Sequence, residues 1–244
     1  MGFVLSTALL NLAHYLCKME SPLNNPVYNA LLSGDAHFNV GNDKVKFFDK
    51  EVSPFVGFDE DYKNGFEDLH ELLPPGRKIL YANPRQIKIP KNWELLAYVE
   101  GRQFVLDSYE PQDASVEDIV SLSKVNIKAM IQLTALTRPG PFDERTIEFG
   151  HYFGIFEAGN LVAMTGQRLH ISNFTEISAV CTHPDHLGNG YAGALLHQQI
   201  DLILKMGKKP FLHVRADNER AIKLYERIGF KVSRPMNFYF FKNV

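Results

Sequence analysis

Gly188, Gly190 and Gly193 fall within six residues of one another, directly ahead of a long amphipathic run, and no other stretch of the chain constrains its fold as much. Glycine adopts the positive-φ conformations that a tight turn needs and lets a ligand approach the main chain. The run that follows, Gly188 to Lys205, carries Ala192, Leu195, Leu196, Ile200, Ile203 and Leu204 mostly on one helical face. The first turn of a helix has unpartnered N–H groups and a partial positive charge, so this junction suits a phosphate. Taken alone, two glycines favour the plainer reading of a chain that merely turns. The letters also spell the dinucleotide pattern GxGxxG, which asks for an acidic ribose partner about 20 residues on, at the end of the next strand. Asp217 comes late for that role.

The surrounding pattern gives the junction its context. Tyr152–Phe156, Leu161–Leu169 and Thr175–Thr182 read as strands, the first two joined by the turn Glu157-Ala158-Gly159-Asn160. His183-Pro184-Asp185 ends the third, since proline cannot continue a central ladder. After the helix, Phe211–Arg215 reads as a strand. Asn218 then caps a helix with Ala221, Leu224, Tyr225 and Ile228 inward and Gly229 at its end. Lys231–Phe241 closes with one or two strands. Upstream, Ile119–Thr137 reads as a helix stopped by Arg138-Pro139-Gly140-Pro141, and Asp143–Phe149 as a short helix. The expected class is α/β, a mixed and mostly antiparallel sheet flanked by helices.

Three stretches together resemble the GNAT superfamily of N-acetyltransferases. Its pyrophosphate signature is Arg or Gln, two residues, Gly, one residue, then Gly or Ala. Gly190 and Ala192 hold the last two fixed positions, while Leu187 stands where Arg or Gln is usual. Asn218 to Phe230 follows the pattern Asn-x-x-Ala-x-x-Leu-Tyr-x-x-x-Gly-Phe throughout. The resemblance implies that Asn218 meets the pantetheine arm, that Tyr225 sits near the CoA sulfur, and that the backbone of Val180, Cys181 and Thr182 pairs with pantetheine. It implies that Leu187, Gly188, Asn189, Gly190, Tyr191 and Ala192 hold the pyrophosphate. Glu176 lies eleven residues before Leu187, where several such enzymes keep a general base; the alternative is a solvent-facing strand residue.

Within the superfamily, Leu136 to Glu148 and Phe211 to Asn218 look like the glycine N-acyltransferase branch, as do Ser53-Pro54-Phe55 and Leu73-Pro74-Pro75-Gly76 in the first half. That likeness implies a degenerate GNAT-like unit over residues 21–107, ahead of a catalytic unit over 108–244. Tyr109–Glu117 reads as the linker. Residues 1–20 leave three readings open: a helix, an early start ahead of Met19, or a targeting segment. The co-substrate expected is acetyl-CoA, with a larger acyl group open. The expected acceptor is the primary amine of a small molecule or amino acid. The alternative function is a non-catalytic CoA-binding or sensor protein of the same fold. A formal net charge of −2 with no basic run argues against a nucleic-acid partner. No metal-ligand spacing is present. No membrane span is expected, because the apolar start is too short for one. Cys17 and Cys181 make no disulfide framework, so a reducing, cytoplasmic setting is the default.

Overall fold

The computed structural model describes residues 21–111 and 119–244. Residues 1–20 and most of the expected linker lie outside that range. Among the described residues, ten strands form one sheet, in the order β1-β2-β3-β10-β4-β9-β8-β7-β6-β5. They are β1 Val45–Phe47, β2 Phe55–Phe58, β3 Lys78–Asn83, β4 Trp93–Leu106, β5 Ile119–Ser121, β6 Phe153–Glu157, β7 Asn160–Ile171, β8 Phe174–Thr182, β9 Lys209–Arg215 and β10 Phe230–Asn243. Only β2/β3 and β8/β9 pair in parallel; all other neighbours are antiparallel.

Among the described residues, five α-helices flank the sheet: α1 Pro26–Leu31, α2 Gly65–Leu72, α3 Ile127–Thr137, α4 Tyr191–Lys205 and α5 Glu219–Ile228. Strand alternation sends successive side chains to opposite faces. Phe238 and Phe240 of β10 therefore join a core with α1 and α3, built on Val27, Leu31, Met130 and Leu133. Tyr239 and Phe241, one residue out of phase, pack with Leu69 of α2. Leu196, Ile200 and Ile203 of α4 and Ile222 and Tyr225 of α5 cover Phe104, Ile177 and Leu212. Each parallel pair is bridged by a helix, α2 between β2 and β3 and α4 between β8 and β9. Among the described residues no helix is long and apolar enough to cross a membrane.

Several expectations change. The helix read over Ile119–Thr137 starts at Ile127. Ile119–Ser121 instead pairs as an edge strand with β6, and Ser123 forms a capping box with Asn126 around the 3-10 turn Lys124–Asn126 that leads into the helix. Trp93–Leu106 is one long strand, β4. The C-terminal stretch is also a single strand, β10, with a register shift between Val232 and Arg234 just ahead of Pro235. The sheet runs across the 107/108 boundary, because β4 of the first segment lies between β10 and β9 of the second.

Candidate functional site

The site grows from a fork between two strands. β8 and β9 pair in parallel from Phe174–Lys209 to Glu176–Phe211 and no further. Beyond that level β9 stays bonded to β4 and β8 to β7. A bulge turns β8 at this level. Between the pairs Met164–Cys181 and Gly166–Ser178, β8 carries one residue more than β7, and Ala179 takes φ +53°. A non-glycine residue in that region is uncommon, and such bulges redirect a strand beside a site. The edge of β8 from Ile177 to Thr182 is thereby left facing a groove of about 1440 Å³.

The glycine loop forms one end of that groove. Gly188 and Gly190 have φ +94° and +80°, and Gly190 is the residue from which α4 starts. An added Cβ at Gly188, Gly190 or Gly193 would meet no protein atom within 4 Å, so the space beside them is open. The loop is pinned by Glu157 of β6, which accepts a hydrogen bond from the Tyr191 hydroxyl and lies 3.2 Å from His186 Nδ1. With its hydroxyl so engaged, Tyr191 offers the groove its backbone N–H. Leu187 is 45% exposed, a bare apolar side chain at the loop's entrance.

Asn218 caps α5, its Oδ1 accepting from the Ala221 N–H at 3.1 Å, and the residue lines the groove. One helical face further on, Tyr225 is buried between Phe104 and Phe230. Its hydroxyl has no hydrogen-bond partner among the described residues. Burial, and then the nearby Cys181, pushes the phenol above its ordinary range, so it stays protonated and able to donate. Burial likewise pushes the Cys181 thiol up to about 11, against opposing bonds from Thr137 and Met164.

Of the site residues read from sequence, all line the groove except Asn189 and Glu176. Glu176 is 0% exposed. Arg168 donates to both of its oxygens, at 2.8 and 2.6 Å, and His213 Nδ1 stands 2.7 Å from Oε1. Burial alone would favour the neutral acid, but Arg168 and then His213 outweigh it and hold the carboxyl well below the usual carboxylate range. A carboxylate held this way binds protons weakly and has no free oxygen on the groove wall. The geometry therefore works against Glu176 as general base, and it is not solvent-facing either. Arg168, which also lines the groove, has its guanidinium engaged by Glu176.

The other face of the groove is built by strands of the first half and by β10. Phe55, Leu80, Val99, Phe238 and Phe240 give it an apolar floor, with Arg138 at the rim. Arg138 is exposed, has no ion-pair partner among the described residues, and takes φ +50° where α3 ends. The apolar residues of these strands look alike in sequence whether they face the core or the groove floor.

Comparisons with known proteins agree with this geometry. Residues 152–239 match the model of the FR47-like protein family. A solved structure from Novosphingobium aromaticivorans, described as an acetyltransferase assigned to the GNAT family, superposes with a TM-score of 0.84 at 28% identity. The match covers 91% of this chain and 99% of that one. A GCN5-related N-acetyltransferase from Kribbella flavida shares the fold, with a TM-score of 0.59 at 12% identity over 86% of this chain and 92% of that one. Among curated proteins, mycothiol acetyltransferase of Mycolicibacterium vanbaalenii is 32% identical over 98 residues, 37% of this chain. That of Corynebacterium aurimucosum is 38% identical over 61 residues, 25% of this chain. The chain spans 33% and 20% of the length of these two relatives. The fold is the GNAT fold, and the chain is similar to a GNAT acetyltransferase along most of its length and to the FR47-like family over residues 152–239. The FR47-like match takes in the loop, the fork and Tyr225.

Proposed function

We propose that this chain moves the acetyl group of acetyl-CoA to a primary amine of a small molecule or amino acid, by direct attack. One observation carries the reading: a single groove joins a glycine loop at a helix start, an unpaired strand edge, and a buried protonated tyrosine. The helix start supplies N–H groups and positive potential to the pyrophosphate. The edge of Val180 to Thr182 supplies backbone partners to the pantetheine, and Asn218 a side-chain amide. The thioester then lies near the bulge, where the Val180 N–H polarises its carbonyl oxygen. The amine approaches over the apolar floor of Phe55, Val99, Phe238 and Phe240 and attacks as the free base, its second proton leaving to solvent. As the C–S bond breaks, Tyr225 hydrogen-bonds or protonates the departing thiolate. Much of the rate comes from holding amine and thioester together. The amino-acid acceptor rests on the likeness of Leu136 to Glu148 and Phe211 to Asn218 to the glycine N-acyltransferase branch.

The test is free-thiol release from acetyl-CoA across a panel of primary amines and amino acids, with Tyr225→Phe alongside. The expected result is release that depends on one class of amine, and a Tyr225→Phe variant that binds acetyl-CoA normally but turns over about 10-fold to 100-fold more slowly. Tight acetyl-CoA binding with no amine-dependent release would overturn turnover and leave a CoA-binding protein.

A further inference from the structure

Where the β8/β9 ladder stops, no backbone hydrogen bond sets the distance between the two strands. A row of polar side chains lies at that level and crosses four neighbouring strands: Arg168 on β7, Glu176 on β8, His213 on β9 and Gln103 on β4. Arg168 bonds both Glu176 oxygens, and His213 Nδ1 reaches Oε1. Gln103 Nε2 stands 3.0 Å from His213 Nε2 and 2.9 Å from the Leu23 carbonyl oxygen. The chemistry of the partners orders the protons. A carboxylate and a carbonyl only accept, so His213 carries its proton on Nδ1 and Gln103 turns its amide N–H₂ inward, toward both Leu23 and His213 Nε2. Gln103 and His213 are direct cross-strand partners, so the row ties the β9 arm of the fork to its β8 arm. Glu176 and Gln103 are 0% exposed, and the Arg168 and His213 side chains 12% and 5%.

We propose that Glu176 is a positioning residue. Through Arg168 and His213 it fixes the opening of the β8/β9 fork, and with it the affinity of the groove for acetyl-CoA, and it does not receive the acceptor's proton. The proposal rests on the acetyl-CoA reading above. A proton acceptor needs a free lone pair on the wall where the amine arrives. Glu176 has its oxygens engaged by three donors and lies beneath the wall. A bridge across diverging strands needs what Glu176 has: a charge bound bidentately on one side and a hydrogen bond to the far strand on the other.

The experiment is isothermal titration of the full chain with acetyl-CoA. The variants are Glu176→Gln, His213→Phe, His213→Asn and, as a control at the distant end of the sheet, Asn243→Ala. Asn243 is buried and donates to the Leu73 carbonyl oxygen at 2.7 Å, so its loss loosens the fold away from the fork. His213→Phe keeps the Arg168–Glu176 pair, and its ring suits the edge-on neighbours Phe211 and Phe238. It therefore tests the bridge even where Glu176→Gln does not fold. Glu176→Gln and His213→Phe are expected to weaken acetyl-CoA binding about tenfold or more. His213→Asn, whose amide donates from the place of Nδ1, is expected to stay near wild type. Asn243→Ala is expected to lower the melting temperature with affinity unchanged. Unchanged affinity in His213→Phe would overturn the proposal. So would an Asn243→Ala loss as large as that of His213→Phe, which would mark general loosening. A wild type that ignores millimolar acetyl-CoA would sink the functional reading, and the positioning role with it.

Discussion

Gly190 and Gly76 form a matched pair for testing the phosphate loop. Their φ angles are +80° and +81°, and an added Cβ meets no atom within 4 Å at either. Gly190 starts α4 on the groove, whereas Gly76 lies in the turn between α2 and β3, away from it. A side chain in left-handed backbone costs about 1–2 kcal/mol at either place. In a domain of this size, that lowers the melting temperature by roughly 2–8 °C. The ligand effect separates the two. Acetyl-CoA at ~100 times its dissociation constant adds about 2.7 kcal/mol, worth roughly 5–11 °C. On the proposed reading, a glutamate at position 190 sets its carboxylate beside the pyrophosphate. At ~4 Å and an effective dielectric constant of ~20, two like unit charges repel by about 4 kcal/mol. That is close to a thousandfold in affinity, enough to abolish the shift. In differential scanning fluorimetry, Gly190→Glu and Gly76→Glu should therefore lose similar apo stability, and only Gly190→Glu should lose its response to acetyl-CoA. A full ligand shift in Gly190→Glu, or a lost one in Gly76→Glu, would refute the assignment of the loop.

Two more predictions follow from single positions. Gly229 ends α5 at φ +113°, and an added Cβ would stand 1.9 Å from the Ser108 carbonyl oxygen. Gly229→Ala should therefore cost about 2 kcal/mol or more, and unaltered thermal unfolding would contradict that packing. The Cys181 thiol, raised to about 11, is neutral below that pH and charged above it. Because thiolate is the reactive form, iodoacetamide labelling of Cys181 at pH 8, followed by peptide mass spectrometry, should run about a hundredfold slower than labelling of a free cysteine. It should climb as pH rises toward 11, and rapid labelling at pH 8 would refute the burial.

The second half of the chain was legible because its local rules agree with its tertiary ones. Asn218 caps α5, Gly229 ends it, and the turn at Ala158-Gly159 and the proline after Thr182 bound strands where the sheet has them. The first half hid more. Val45–Phe47 and Phe55–Phe58 are buried at every position, so neither shows the alternation that marks a half-exposed strand. The helix Gly65–Leu72 begins without a side-chain cap. Glu176 was found by its spacing from the loop, but spacing carries no information on partners. Arg168 lies eight residues away in sequence and His213 thirty-seven, and only the sheet order brings all three to one level. Gln103 carried no motif at all. Its place in the row follows from the cross-strand register of β4 with β9, which no local pattern encodes.

That register bears on what the first half does. β4 belongs to residues 21–107, yet it separates β9 from β10, and without it the β9 arm of the fork would be an open sheet edge. The same segment supplies Phe55, Leu80 and Val99 to the groove floor and Gln103 to the polar row. Its own crossover, β2-α2-β3, repeats the strand-helix-strand plan of β8-α4-β9, with parallel pairing in both. The repeat lacks the opening, however. Gly65 at the start of α2 is packed against the Phe58 ring, 2.3 Å from where a Cβ would stand, while Gly190 at the start of α4 faces empty space. One crossover has closed its helix start with an aromatic ring, and the other has kept its N–H groups clear. The first half thus keeps its crossover's helix start closed; it holds one arm of the fork and supplies part of the groove's floor.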